Sequence, residues 1–260
     1  MIDRGHRLRG PQLYTQGDLA ALERAARLAR TIMDELLRLV AEAVTPLDIE
    51  RECRRLVVDA GGEPVMAHVV IDQGEPFGAS CSVCVDDTVT HARPDDRPLR
   101  PGQFVTIDLM LGLDGWHADV ADTVVVGGGG HPLLDALDAV WSAGIGAIGP
   151  GIPWASVANA MAAAAESHGV QIVRGLAGHG IGLAPHELPV LPLAPAAADP
   201  QVILRPGMVF TLEPAITSGI GDTTDSEDGW AIKTADGAPA AAREAVIAVE
   251  SDGIRMLGGP

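Results

Sequence analysis

Two stretches of this chain repeat each other. LRPGQFVTID, residues 99–108, aligns without gaps to LRPGMVFTLE, residues 204–213. Flanking elements repeat in the same order. VTPLDI at 44–49 resembles GIPWASV at 151–157, each as the opening of a helix, and His91-Ala92-Arg93-Pro94 resembles His186-Glu187-Leu188-Pro189. Self-similarity in a fixed order marks a repeated architecture. The period is too long for a solenoid, so it predicts one pseudo-symmetric domain with a site between its halves. Superposing the halves places Asp108 on Glu213 and His91 on His186. If the halves face each other, their acidic residues converge.

Between these anchors the chain alternates helix pairs with groups of strands. Residues 17–43 carry Leu19, Leu22, Ala26, Leu28, Ile32, Leu36, Leu37 and Val40 at helical spacing. Thr45-Pro46 supplies an N-cap and first turn for a second helix, which Gly61-Gly62 stops. Strand-like segments follow at 64–71, 80–90, 104–111 and 116–126. A third helix is predicted from Pro132 to Ile148, and a fourth from Ile152-Pro153 to His168-Gly169. Further strand-like segments lie at 170–175, 208–217, 229–234 and 243–250. PVLPLAPAAADPQV, 189–202, reads as a loop. A length of 260 residues suits one large domain. An arm at 1–16 precedes a single domain at 17–260, with halves at about 17–127 and 131–257. Aromatic residues make up only 3%, so Ala, Val, Leu and Ile must do most of the packing.

The formal charge of -17 argues against nucleic acid and anionic membranes as main partners, because both need basic patches. No apolar stretch reaches ~18 residues, so no membrane span is expected. MIDRGHRLRG lacks the apolar core of a signal peptide. The cysteines, Cys53, Cys81 and Cys84, are too sparse for a secreted disulfide framework. CSVC at 81–84 lacks the second pair that a structural zinc site needs and reads as incidental cysteines in a strand. A cytoplasmic protein is expected.

The chemistry concentrates around FVTIDLMLGLDGWHADVADTVVV at 104–126. Two apolar, β-branched runs flank Asp114-Gly115, which signals a hairpin. With the turn centred between Leu113 and Asp114, Asp108 and Asp119 face each other across the strands, where like charges destabilise. Glu213 closes MVFTLEP, Glu244 opens EAVIAV, and His179 lies in GLAGHGIGL. Four carboxylates in one cleft would have to protonate in part, unless divalent cations neutralise them. Carboxylates with a single imidazole suit Mn, Fe, Co or Zn. Each residue alone also has an ordinary reading, as a solvated hairpin Asp, a strand-closing Glu or a turn His.

TIDLMLGLDGWHADVADTVVVG, GHGIGLAPHELP, GMVFTLEP and DGWAIKT together resemble the type I methionine aminopeptidases. The resemblance runs in order from about residue 17 to the C-terminus. It implies the pita-bread fold, an α+β architecture of two pseudo-symmetric halves with an antiparallel β-sheet core covered by helices. It implies two divalent metal ions held by Asp108, Asp119, His179, Glu213 and Glu244, with Asp119 and Glu244 bridging. A hydroxide shared by the metals would attack the first peptide bond. Glu213 would shuttle the proton, His186 would donate to the oxyanion, and His91 would orient the substrate peptide. The implied function is removal of the N-terminal methionine from peptides or nascent proteins by a monomeric hydrolase. The pocket departs from the family. Phe77 keeps an aromatic position and Trp230 is retained, but Ile71, Gly74 and Ser82 stand where the family favours Cys, Tyr and Cys. Pro185 replaces a usual Phe. Fewer aromatic walls alter the sulfur–aromatic contacts that favour methionine. Two other readings stay open: a pita-bread paralogue acting on another N-terminal residue or a small metabolite, and a non-catalytic binding module.

Overall fold

The structure, a computed structural model, describes residues 10–70 and 74–259. Helices begin where their caps dictate. α1 (Gln16–Leu39) and α2 (Pro46–Asp59) each open on a reciprocal cap, Thr15 with Asp18 and Thr45 with Asp48, and Pro46 takes the first helical position. α1 buries Leu19, Leu22, Ala26, Ile32 and Leu36 along one face, as the spacing predicts. α3 (Pro132–Ala147) and α4 (Trp154–Ser167) form the second helical pair. Among the described residues, no helix is long and apolar enough to cross a membrane.

Strands β1 (Ser82–Val85), β3 (Phe104–Leu113) and β4 (Trp116–Val125) make one antiparallel sheet. β2 (Thr88–Thr90) joins β10 (Thr223–Asp225) and β11 (Ile232–Thr234), while β5 (Gln171–Ile172), β9 (Ala215–Thr217) and β12 (Ala240–Ala242) pair together. β6 (Ala177–Gly180), β7 (Glu187–Pro192), β8 (Val209–Leu212), β13 (Ala245–Val249) and β14 (Ile254–Met256) form a sheet in the order β14-β13-β8-β6-β7. One core lies where α1 and α2 cover Ile107, Leu109, Leu111 and Val120. A second lies where α3 and α4 cover Phe210, Leu212 and Ile247.

The repeated sequence makes repeated hydrogen bonds. Ala43 N–H donates to Leu99 O (2.9 Å) and Leu99 N–H to Val44 O (2.8 Å); Gly151 donates to Leu204 O (2.8 Å) and Leu204 to Ile152 O (2.9 Å). Gly102 N–H reaches Val126 O and Gly207 N–H reaches Val249 O, both at 2.9 Å. These glycines have φ of 84° and 89°, the left-handed region that a side chain disfavours, which explains the glycine of L-R-P-G.

Several expectations are corrected. Leu113 pairs with Trp116, so the turn is Asp114-Gly115 itself, with φ of 51° and 79°, as a type I′ turn requires. The centre moves by one residue, and Asp108 pairs with Ala121 while Met110 pairs with Asp119. The two aspartates are therefore diagonal neighbours on one face, not opposed. The strand-like 64–71 holds a 3-10 turn, Val65–His68, because Pro64 ends the pairing begun by the Glu63–Gly112 bridge. Segment 80–90 divides into β1 and β2 at Asp86-Asp87, and 208–217 divides into β8 and β9 at Glu213-Pro214. PVLP in the expected loop belongs to β7, an edge strand, where proline is tolerated. Cys81 and Cys84 are free and buried, as expected of incidental cysteines, and Cys84 lies in β1.

Candidate metal centre

Alternation along the hairpin separates two functions. Ile107, Leu109 and Leu111 point towards α1, while Thr106, Asp108 and Met110 point the other way, into a cavity of about 450 Å³. Asp119 enters the same cavity from β4. Glu244 precedes β13 and joins Ala121 in a backbone bridge, donating its N–H to Ala121 O (2.8 Å) and so linking the two halves. His179 comes from β6 and Glu213 from the end of β8. All five expected ligands, together with His91 and His186, line this one cavity.

Glycines on either side of His179 have a steric reason. A Cβ at Gly178 would overlap the backbone oxygen of Thr211, and one at Gly180 would overlap that of Leu188. Only glycine lets β6 lie so close to both neighbours. Thr211, which sequence reasoning missed, then ties two acid–base groups together. Its hydroxyl donates to Glu213 Oε1 (2.6 Å) and accepts from His179 N–H (3.0 Å). The available signal was its place two residues before Glu213, on the same face of β8. His91 adopts a left-handed backbone with φ of 58°, an uncommon conformation for a non-glycine residue.

His179 Nδ1 lies 3.0 Å from Gly180 O and donates to it, leaving the Nε2 lone pair directed at the acids. Nε2 is 3.8 Å from Asp119 Oδ2 and 3.8 Å from Glu213 Oε1, too long for hydrogen bonds. Asp119, His179 and Glu244 each present one ligand atom, all within 4.8 Å of one another. Asp119 Oδ1 is buried without a hydrogen-bond partner, a costly arrangement in a protein interior. Burial pushes Asp108 up to about 6 and Glu213 up to about 8. Asp119 and Glu244 are pushed well up by burial and then by the neighbouring carboxylates. Burial holds His179 down to about 4 and His186 down to about 3. The cluster therefore resists its own negative charge while offering oxygen lone pairs and one neutral imidazole. That donor set fits a divalent cation, which would complete Asp119 and neutralise the acids.

The apolar end of the cavity is built by Met66, Val69, Phe77, Met110 and Trp230. Phe77 meets Trp230 edge-on at 5.1 Å. Ser82 opposes Asp108 across the sheet, but it is fully buried against Cys84 Sγ (3.3 Å) behind the wall and does not line the cavity. Pro185 stands half-buried beside His186 and is likewise not in the wall. Ile71 lies outside the described residues. Met66, Val69 and Met110 were missed.

Residues 20–253 match the profile of metallopeptidase family M24. The chain is 31% identical over 252 residues to the methionine aminopeptidase of Treponema pallidum (strain Nichols), covering 96% of each chain. It is 31% identical over 251 residues to that of Salmonella typhimurium, covering 94% of this chain and 92% of the other. It superposes on the crystal structure of methionine aminopeptidase from Rickettsia prowazekii with a TM-score of 0.88 at 28% identity, over 96% of this chain and 100% of that one. This match bears out the pita-bread architecture. A prolidase from Pyrococcus furiosus shares the fold alone, with a TM-score of 0.71 at 16% identity, over 95% of this chain and 65% of that one.

Proposed function

The chain belongs to metallopeptidase family M24, and from that premise we propose that it is a methionine aminopeptidase acting on the N-termini of peptides or nascent proteins. The observation that carries the reading is one cavity with a carboxylate–imidazole cluster at one end and an apolar, sulfur- and aromatic-rich wall at the other. We assign Asp108, Asp119, His179, Glu213 and Glu244 as ligands of two divalent cations from the set Mn, Fe, Co and Zn. Such cations supply Lewis-acid polarisation and a water acidic enough to act near neutral pH. The unpartnered oxygen of Asp119 supports this assignment.

The remaining roles follow from position. The cation end would take the substrate's free amine, which restricts cleavage to the first residue. The apolar end takes the first side chain, where Phe77 and Trp230 offer ring edges and faces to a thioether. His186, neutral through burial and packed at a tilt against His179 with 4.2 Å between ring centres, donates a ring N–H to the developing oxyanion. His91, also neutral through burial, holds the next peptide unit. Glu213 carries the proton to the leaving amine. We place these residues in a single catalytic domain, 17–260, with halves at about 17–127 and 131–257.

A peptide panel tests the reading. Metal-reconstituted protein incubated with Met-Ala-Ser and the matching Leu, Ala and Pro peptides should release methionine alone. Release of another residue, or of none with metal bound, would overturn it.

A further inference from the structure

Glu187 is a buried carboxylate beside the catalytic cluster that takes no part in it. It is 6% exposed and accepts from the Tyr14 hydroxyl, 2.8 Å from each of its oxygens, and from Ala184 N–H at 2.8 Å. The same hydroxyl accepts from Leu183 N–H at 3.0 Å. Tyr14 belongs to the segment before α1, yet it is as buried as Glu187. Its N–H donates to Gly207 O (2.7 Å), and its ring meets Trp116 edge-on at 5.5 Å. The ring lies on Gly182, where any Cβ would overlap the phenol. On its other side, Gly182 O accepts from His117 N–H (2.8 Å). The turn 182–187 is thus stapled by Tyr14 at three residues and by the hairpin at one.

His186 is the residue this turn delivers to the cavity. Among the described residues no hydrogen bond orients its ring, so its contact with the His179 ring and the backbone of the turn set its direction. We propose that Tyr14 is a positioning residue: its hydroxyl, through Glu187 and Leu183, holds the 182–187 turn in the shape that aims His186 at the substrate. The activity arm of the test rests on the aminopeptidase reading. Without the hydroxyl, Glu187 keeps only a backbone donor, and a buried carboxylate short of donors pulls its surroundings towards water.

The experiment is a double-mutant cycle in the full-length, metal-loaded protein with Tyr14→Phe and His186→Ala. It is read by kcat and KM on a methionyl tripeptide, metal content, and hydrogen exchange of the peptide covering 182–187. Tyr14→Phe should lower kcat about tenfold with KM nearly unchanged, a loss of the size one hydrogen bond to a charged group supplies. Metal content should hold and exchange in the turn should quicken. In the His186→Ala background Tyr14→Phe should cost nothing more. An equal loss in both backgrounds, or unchanged exchange in the turn, would overturn the proposal. Should the wild type release no residue, the aminopeptidase reading fails and the exchange comparison alone decides. Should Tyr14→Phe fail to fold, Glu187→Gln and Glu187→Ala take its place. Gln keeps an acceptor for the hydroxyl and should retain activity and protection that Ala loses; equal behaviour of the two would refute the staple.

Discussion

Stripped of divalent cations, the protein should lose stability as pH rises from about 6.5 to about 8. A carboxyl whose folded pKa is raised binds its proton more tightly folded than unfolded. Its contribution is full below the unfolded pKa and is lost as pH climbs through the folded one. Glu213, raised from 4.5 to about 8, acts in this sense, and so do Asp119 and Glu244. The buried histidines act oppositely. His179 and His186, held down to about 4 and about 3, take up protons on unfolding below 6.5, so they add stability as pH rises to that point and offset the carboxyls. Above 6.5 the unfolded histidines are less than half protonated, and their opposing contribution fades by about pH 7.5, so the carboxyls dominate the upper part of the window. Each proton held only by the folded state gives a slope of about 1.4 kcal/mol per pH unit. Glu213 alone therefore costs about 2 kcal/mol over the roughly 1.5 units between the two values. Urea denaturation in chelator across this window should show the midpoint falling, with a flatter profile after Mn²⁺ or Co²⁺ is added back. Glu213→Gln should remove about 1.4 kcal/mol per unit from the slope. A chelated wild type whose stability is flat or rising across the window would refute the claim that these acids share one desolvated cavity.

Four substitutions test the remaining geometry. Asp108→Ala should lose metal and nearly all activity, whereas His186→Ala should retain metal and turn over slowly, as metal analysis beside steady-state kinetics would show. Gly178→Ala should force β6 away from Thr211; a shift of about 1 Å at His179 corresponds to about a hundredfold in kcat/KM. Arg93→Met should raise KM for methionyl peptides about five- to tenfold with kcat nearly constant. The Arg93 guanidinium donates to Phe77 O (3.1 Å) and Pro76 O (2.7 Å) and lies over the Trp230 ring at 5.3 Å, so it holds the apolar wall together.

What the sequence revealed follows from which signals are local. The cap at Thr45 and the helical stripe of α1 are set within a few residues, so those helices were legible, whereas the Thr15 cap was not read. The L-R-P-G repeat was legible because it recurs verbatim, and it paired Asp108 with Glu213 in one cavity. Strands β6, β10, β12 and β14 were missed because they are short and lack apolar alternation. The hairpin register was missed because it depends on which two residues take positive φ, and Leu113-Asp114 and Asp114-Gly115 centres differ by one residue. Ser82 was misjudged for a third reason. It does share a face with Asp108, but burial behind neighbouring side chains is a tertiary property that no spacing encodes. The wall residues Met66 and Val69 escaped because Pro64 turns a strand-like stretch into a 3-10 turn that swings them inward.

The corrected register also spaces the acids around one cavity. Ala121 pairs with Asp108 on β3 and, on its other side, bridges to Glu244. Directly paired residues project to the same face, so Asp108, Ala121 and Glu244 form a row across three strand segments with Asp119 one step along it. Had Asp119 stood opposite Asp108, their Cβ atoms would be roughly 4.5–5.5 Å apart, whereas the diagonal register spaces them at roughly 7–8 Å. The diagonal arrangement puts a methyl group at the centre of the row and leaves the cavity open above it, where Ala121 lines the floor. Small size at that position is thus as much a part of the site as the four carboxylates around it. The backbone bridge that sets it is also the seam where the two halves of the repeat meet.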